Sequence, residues 1–145
     1  MNHPLQSMLR PVLLAALASA ASLAFPILAH ADPCEAALPK PGTTFLGPVR
    51  YVGDGDGLCI GASRDPSTWI EVRLADFYAP ELSQPGGREA KSTLERMVMG
   101  RTLRCVADHR SYDRIVAACR LDGVSVGDLM RRRGVREGGT AYRRR

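Results

Sequence analysis

Apolar and polar residues alternate in short stretches along this chain, and Gly, Pro and Asp residues separate the stretches. The clearest alternation runs over Trp69–Ala75, where Ile70, Val72 and Leu74 share one parity. A period of two residues is typical of a strand with one buried face, so this segment predicts a β-strand. Arg73 has the opposite parity, and we expect its side chain to project away from the core, where it can meet a ligand.

Four more stretches have the composition of strands, and two have apolar positions at helical spacing. The predicted strands are Thr43–Val52, Leu58–Ala62, Trp69–Ala75, Thr102–Val106 and Arg114–Leu121, and the predicted helices are Arg88–Met99 and Ser125–Arg133. Gly100 follows the first helix, where a left-handed glycine is favoured. The order β-β-β-α-β-β-α is that of an OB-fold. We therefore predict a mainly β, α+β domain built on a five-stranded OB-fold barrel.

Two Asp-Gly pairs mark tight turns next to the predicted strands. Asp54-Gly55 separates the first two strands, and Asp122-Gly123 follows the fifth. The first pair predicts a two-residue hairpin of type I′, in which both central residues have positive φ.

Residues 1–31 are predicted to be a signal peptide that is cleaved from the mature protein. An apolar, uncharged run over Val12–Leu28 is followed by Ala29-His30-Ala31, which has the small-x-small pattern of signal peptidase sites. A transmembrane anchor is the less favoured alternative, because the run is at the lower length limit for a span and contains Pro26. We expect export, to the periplasm or outside the cell, of a monomer without a stable membrane anchor.

An even number of cysteines in an exported chain predicts disulfide bonds. The four cysteines are Cys34, Cys59, Cys105 and Cys119. Zinc binding is disfavoured, because no two cysteines are close in sequence and His109 is the only histidine after residue 31. Cys105 and Cys119 are symmetric about Tyr112, so a hairpin centred there places them opposite each other. This predicts a Cys105–Cys119 bond and leaves Cys34–Cys59 as the second bond.

The charge is concentrated at the C-terminal end of the chain. The formal net charge is +5, and seven arginines against Glu137 alone follow Met130. Such a run is either a contact surface for a polyanion or a solvated, disordered end. After the signal peptide we therefore predict an extended lead-in (residues 32–42), one barrel domain (residues 43–135) and an Arg-rich tail (residues 136–145).

Five charged residues have the chemistry that phosphodiester hydrolysis needs. A cation polarises the phosphate, a base deprotonates water, and fixed positive charges stabilise the transition state. Asp54 and Asp56 at a hairpin tip offer hard oxygen ligands for a cation. Glu81 follows shortly after the strand of Arg73, and Arg114 follows the later hairpin turn. Taken singly, each residue also fits an ordinary role in a turn, on a strand surface or in a loop.

Three motifs carry a family resemblance. They are Asp54-Gly55-Asp56, then Arg73-Leu74 with Tyr78, Pro80 and Glu81, then Tyr112-Asp113-Arg114 with Ala117. In this order, with a helix between the second and third, the chain resembles the thermonuclease (staphylococcal-nuclease-like) family from Thr43 to about Val135. The family patterns are Asp-Gly-Asp, Arg-Leu-x-x-x-Asp-x-Pro-Glu and Tyr-Gly-Arg-x-x-Ala.

The resemblance implies a Ca²⁺-dependent nuclease that acts on DNA or RNA, with single strands as the expected substrate and Mg²⁺ or no metal as alternatives. By the same resemblance Arg73 and Arg114 bind the phosphate, and Glu81 is the catalytic carboxylate. Asp56 and the Ala79 carbonyl bind the cation, and Asp54 is a further candidate ligand. Tyr112 and Tyr78 are candidate substrate contacts.

Tyr78 is the main departure from the family pattern, because it stands where the family has a metal-binding Asp. A phenol that stays neutral near pH 7 is a poor ligand for a hard cation. Three compensations are open: Asp76 supplies the carboxylate, Asp54 moves into the coordination shell, or water fills the position and binding is weak.

Two other function classes remain open. In a non-catalytic module that binds polyanions, Tyr78, Tyr112 and Trp69 would stack on bases and the Arg-rich end would contact phosphates. In a structural envelope protein, the barrel would serve only as a stable scaffold.

Overall fold

The computed structural model describes residues 32–139, so the predicted signal peptide and residues 140–145 of the predicted tail lie outside the described residues. The strands are β1 (Thr44–Val52), β2 (Gly57–Gly61), β3 (Trp69–Leu74), β4 (Thr102–Ser111), β5 (Arg114–Leu121) and β6 (Val124–Ser125). The helices are α1 (Gly87–Val98) and α2 (Val126–Arg132), and a 3₁₀ turn covers Pro66–Thr68. Each predicted strand and helix is present.

Five strands close into a barrel. Their order is β3-β2-β1-β4-β5, and parallel pairing of β3 with β5 joins the two edges. The short β6 pairs with β5 outside the closed part. The predicted five-stranded OB-type barrel is therefore confirmed, and the one large difference in strand length is at β4, which continues to Ser111 instead of ending at Val106.

The core lies inside the barrel and beneath α1. Val72 and Leu74 of β3 are completely buried, as their shared parity predicted, and Leu94 on the apolar side of α1 is buried with them. The helix begins after Gly86 and ends before Gly100, two glycines with φ of 85° and 72°. These left-handed positions favour glycine because it has no Cβ.

The predicted type I′ turn at Asp54-Gly55 is wrong. Neither residue has positive φ, and the loop instead spans Asp54–Asp56 between Gly53 and Gly57, whose N–H and C=O are bonded at 2.9 Å. Gly55 is needed for close packing, since a Cβ there would lie 2.4 Å from the Ala79 Cβ. The Asp122-Gly123 pair does have positive φ at both residues. Both pairs mark turns, but only the second has the backbone conformation of type I′.

A β-bulge in β4 sets the position of the second hairpin. Ser111 pairs with Arg114 across the turn, whereas Cys105 pairs with Cys119, and the register changes by one residue between Ala107 and His109. Without this extra residue Cys105 would oppose the residue after Cys119, and the two cysteines would face opposite sides of the sheet. The bulge therefore brings both cysteines to the buried face.

Both predicted disulfide bonds are present, Cys34–Cys59 and Cys105–Cys119. The first ties the lead-in, which has no helix or strand, to the centre of β2. Two backbone bonds also hold this segment, from the Glu35 and Ala36 amides to the carbonyls of Pro66 and Trp69, at 3.1 and 2.9 Å. At the other end, Gly138 donates to the Tyr78 carbonyl at 2.9 Å, so packing continues beyond the predicted domain end at Val135. Within residues 32–139, no helix has the length and apolar character to cross a membrane.

Removing the Cys105–Cys119 bond with the double substitution Cys105→Ala/Cys119→Ala should destabilise the barrel by about 3 kcal/mol, because a loop of this length is no longer closed in the unfolded chain. Urea unfolding at equilibrium, compared with the unsubstituted protein, measures the difference. A change below about 0.5 kcal/mol would show that the bond adds little to the hydrogen-bonded hairpin.

Candidate active site

One cleft of about 550 Å³ is lined by the hairpin tip after β1, the end of β3 with the loop that follows it, and the β4–β5 hairpin. It brings together the eight residues that were predicted to bind the cation, bind the substrate or act in catalysis. They are Asp54, Asp56, Arg73, Tyr78, Ala79, Glu81, Tyr112 and Arg114. Residues up to 60 positions apart in sequence thus meet in one place, while the role of each stays a prediction.

Asp56 connects three parts of this cleft. Its side chain is buried, with 3% of the residue exposed. The Oδ2 atom accepts a hydrogen bond from the Ala79 amide at 2.9 Å and a second from Arg73 Nη2 at 3.3 Å. One carboxylate therefore joins the hairpin tip to the barrel strand and to the loop that bears Glu81.

Asp54 shapes the hairpin tip with its own carboxylate. Its Oδ1 accepts hydrogen bonds from the amides of Asp56 and Gly57 at 3.0 and 2.6 Å. The bonds form a local Asx-type turn in place of the predicted type I′ turn. They also keep two carboxylates close together at the cleft wall.

Burial and, after it, the neighbouring Asp54 charge together raise the pKa of Asp56 to about 7, although Arg73 and the hydrogen bond from the Ala79 amide oppose the shift. The causes are local: the Asp56 carboxyl has little access to solvent, a like charge lies nearby, and one cation lies nearby. A carboxylate pair with this much uncompensated negative charge favours a bound cation.

The two candidate phosphate arginines lie on neighbouring parallel strands. In this pairing Val72 is opposite Ile115 and Arg73 is opposite Val116. Continued by one residue toward the start of both strands, the same register places Arg114 next to Glu71. Among residues 32–139 the buried Nε of Arg114 has no hydrogen-bond partner. Its guanidinium therefore keeps donor capacity for an anion that enters the cleft.

His109 and Ser111 also line the cleft, and neither was predicted from the sequence. The bulge after Ala107 moves His109 to a position opposite Val116, on the outer face of the sheet that also carries Arg73. The Asp108 carboxylate lies 3.1 Å from His109 Nδ1. One signal in the sequence could have indicated His109 and Ser111. The alternation of apolar residues on the buried face ends at Ala107, and four consecutive polar residues follow.

Two residues considered for the site lie elsewhere. Asp76 does not line the cleft, because its carboxylate accepts a hydrogen bond from Ser125 at the start of α2 and packs against Gly127. It therefore does not replace the carboxylate missing at position 78. Trp69 is also outside the cleft, since its indole packs on Gly61 and donates to the Ser63 carbonyl at 3.0 Å.

The donor set fits a hard cation with few protein ligands. Within residues 32–139, no group of three or more His, Cys, Asp or Glu side chains is arranged to hold a metal ion. The side chains of Asp54 and Asp56 nevertheless form a close, partly buried acidic pair at the hairpin tip. Such a pair fits Ca²⁺ or Mg²⁺ with water in the remaining positions, as is common for Mg²⁺.

The chain is similar in sequence to a curated protein. The chain is 40% identical over 75 residues to a protein of Oryza sativa subsp. japonica described as a probable staphylococcal-like nuclease. The resemblance to the staphylococcal-nuclease-like family is confirmed. The match covers 51% of this chain but only 23% of the rice protein. The similarity is therefore limited to a segment of the rice protein. No protein-family model matches the chain.

Glu71 is an unusual neighbour for Arg114, a candidate phosphate arginine. Burial, a hydrogen bond with Asp32 and the charge of Asp113 together raise its pKa to about 7, although Arg114 opposes the shift. The folded protein therefore keeps a proton here that the unfolded chain releases near pH 4.5. Between pH 4.5 and about 7, unfolding releases this proton. The contribution of Glu71 to the free energy of unfolding therefore falls as the pH rises through this range.

We expect Glu71→Gln to remove this pH dependence. At pH 4.5 the substituted and unsubstituted proteins should have similar unfolding free energies, and at pH 8 the Gln variant should be the more stable one. Urea unfolding at both pH values in EDTA measures the difference, with Glu89→Gln on the exposed side of α1 as the control. An equal stability difference at both pH values would contradict the shifted pKa.

Proposed function

We propose that this protein is an exported, metal-dependent nuclease that hydrolyses phosphodiester bonds of single-stranded DNA or RNA, with Ca²⁺ or Mg²⁺ held weakly. The observation that carries the proposal is the convergence of Arg73, Arg114 and Glu81 with the acidic pair Asp54 and Asp56 in one cleft. The rice protein, which is described as a probable nuclease, supports the reaction class. The two disulfides support an oxidising compartment, since such bonds are rare in the cytosol.

In the proposed mechanism, a substrate phosphate lies between the guanidiniums of Arg73 and Arg114. Asp54, Asp56 and the Ala79 carbonyl would hold the cation, which supplies positive charge at the phosphate. Glu81 accepts a proton from the attacking water as the new P–O bond forms. The P–O bond to the leaving group then breaks, and the leaving oxygen takes a proton from solvent. The arginines stabilise the additional negative charge on phosphorus.

The rim of the cleft favours a single strand. Tyr112 lies in the turn of the β4–β5 hairpin, and 89% of its surface is exposed. An exposed aromatic ring beside a cleft that contains two arginines can stack on an unpaired base, and base pairing in a duplex hides that face. Tyr78 lines the same cleft and is the second proposed contact.

A non-catalytic nucleic-acid module is the second candidate, and Tyr78 is the observation that favours it. With a phenol in place of a carboxylate, the acidic pair alone holds the cation. The two candidates differ in their dependence on the divalent cation. The nuclease needs the cation for cleavage, so EDTA stops its activity, whereas the module binds nucleic acid equally well with EDTA.

The substitution Glu81→Gln should lower cleavage of a single-stranded oligonucleotide by about 10²- to 10⁴-fold, because the proposed base is lost. The matched control is Glu89→Gln, which removes an exposed carboxylate from α1 and should leave the rate unchanged. Rates are measured with Ca²⁺ and again with EDTA, which should abolish cleavage. Cleavage that persists in Glu81→Gln at the original rate would exclude the proposed mechanism.

Introducing the missing carboxylate with Tyr78→Asp should raise the Ca²⁺ affinity and the cleavage rate by about tenfold, since affinity for this cation rises with the number of charged ligands. Tyr78→Asn is the matched control, because it has the same size and an oxygen ligand but no charge. Calorimetric titration with Ca²⁺ and the cleavage assay provide the two measurements. Equal behaviour of the Asp and Asn variants would show that position 78 does not reach the cation.

A further inference from the structure

The loop after β3 carries Tyr78, Ala79 and Glu81, and it has neither helical nor strand structure. Its geometry therefore depends on bonds from other segments. The Asp56 carboxylate holds the Ala79 amide from the hairpin tip. Two further bonds come from the C-terminal segment: Glu137 Oε1 accepts from the Tyr78 amide at 3.2 Å, and the Gly138 amide donates to the Tyr78 carbonyl at 2.9 Å.

Glu137 is itself held by Arg131 of α2. The Nε and Nη2 atoms of Arg131 reach the two carboxylate oxygens of Glu137 at 3.2 and 3.1 Å, which is the paired geometry of a guanidinium and a carboxylate. The same guanidinium lies over the Phe77 ring at 5.6 Å and donates to the Asp76 carbonyl. Arg131 thus contacts the beginning of the loop directly and its middle through Glu137.

The two glycines after Glu137 complete the contact. A Cβ at Gly138 would lie 3.1 Å from the Pro80 ring, and one at Gly139, where φ is 83°, would lie 2.7 Å from the Ala79 carbonyl oxygen. The same Cβ position at Gly139 is 3.7 Å from Oε1 of Glu81. The segment therefore approaches the loop at backbone distance, and Gly139 lies beside the proposed catalytic carboxylate.

From these contacts we infer that Glu137, held by Arg131, is a positioning residue for the loop that bears Ala79 and Glu81. Glu137 is not one of the residues that line the cleft. It fixes the Tyr78 amide, next to the Ala79 amide that Asp56 holds, and so determines where the Ala79 carbonyl and the Glu81 side chain lie. The inference rests on the proposed function for its catalytic consequence, but the effect on the loop is independent of it.

The test compares Glu137→Gln with Asp128→Asn. Both variants convert a carboxylate partner of Arg131 to the amide, but Asp128, which is 3.1 Å from Arg131 Nη1, has no hydrogen bond to the loop among the described residues. For Glu137→Gln we expect kcat to fall about tenfold with KM changed less than about twofold, because the reacting groups move while Arg73 and Arg114 still bind the phosphate. Asp128→Asn should leave both values unchanged.

Amide hydrogen exchange gives a readout that does not need catalysis. In Glu137→Gln the Tyr78 amide should exchange about tenfold faster, because its acceptor loses the charge, and amides of β1 and β5 should keep their rates. Exchange that is unchanged at Tyr78, or faster throughout the barrel, would overturn the inference. So would an equal effect of Asp128→Asn. If the unsubstituted protein does not cleave nucleic acid, the proposed function fails, and the exchange result alone decides on Glu137.

Discussion

The carboxylate of Asp56 is the interaction on which the site depends, since it bonds at once to the Ala79 amide and to Arg73. Burying a carboxylate is unfavourable unless hydrogen bonds or opposite charges compensate it. Here one guanidinium and one amide compensate it in part, and the raised pKa shows the remaining imbalance. The same imbalance that weakens the isolated fold creates an attraction for a cation. Stability and proposed function are therefore linked through one side chain.

Close packing holds the rest of the geometry around this carboxylate. Gly55 lets the hairpin tip approach Ala79, and Gly139 lets the C-terminal segment approach the same residue from the other side. The loop with Glu81 lies between these two backbones and has no regular structure of its own. Its position is thus a property of the tertiary structure, which explains how a weakly structured segment can present a carboxylate to a defined cleft.

Sequence patterns predicted the strands and helices well because they depend on local alternation and on glycines at helix ends. The Cys105–Cys119 pairing was also predicted, from symmetry about Tyr112, but its actual cause includes a bulge that no local pattern specifies. The same bulge places His109 in the cleft. The contact of Glu137 with Tyr78 joins residues 59 positions apart, so a run of charges near the C-terminus gave no indication of it.

The predicted turn at Asp54-Gly55 shows a second limit. The glycine of an Asp-Gly pair can be required for a positive φ or for the close approach of another part of the chain to the backbone. The sequence of the pair alone does not distinguish these two roles. Likewise Asp76 was a candidate ligand by sequence distance from Tyr78, but the chain turns after β3 and directs its carboxylate to Ser125. In both cases a tertiary contact determines the local structure: Gly55 packs against Ala79, and Asp76 bonds to Ser125.

The claim that one cleft holds cation and phosphate together is tested most directly by thermodynamic linkage in Glu81→Gln, in which cleavage should be slow enough for binding to be measured. The affinity for a single-stranded oligonucleotide is measured by fluorescence anisotropy with Ca²⁺ and with EDTA, at constant ionic strength. If both ligands share the cleft, Ca²⁺ should tighten oligonucleotide binding by about fivefold or more, and the oligonucleotide should tighten Ca²⁺ binding by the same factor. Equal oligonucleotide affinity with and without Ca²⁺ would contradict the claim.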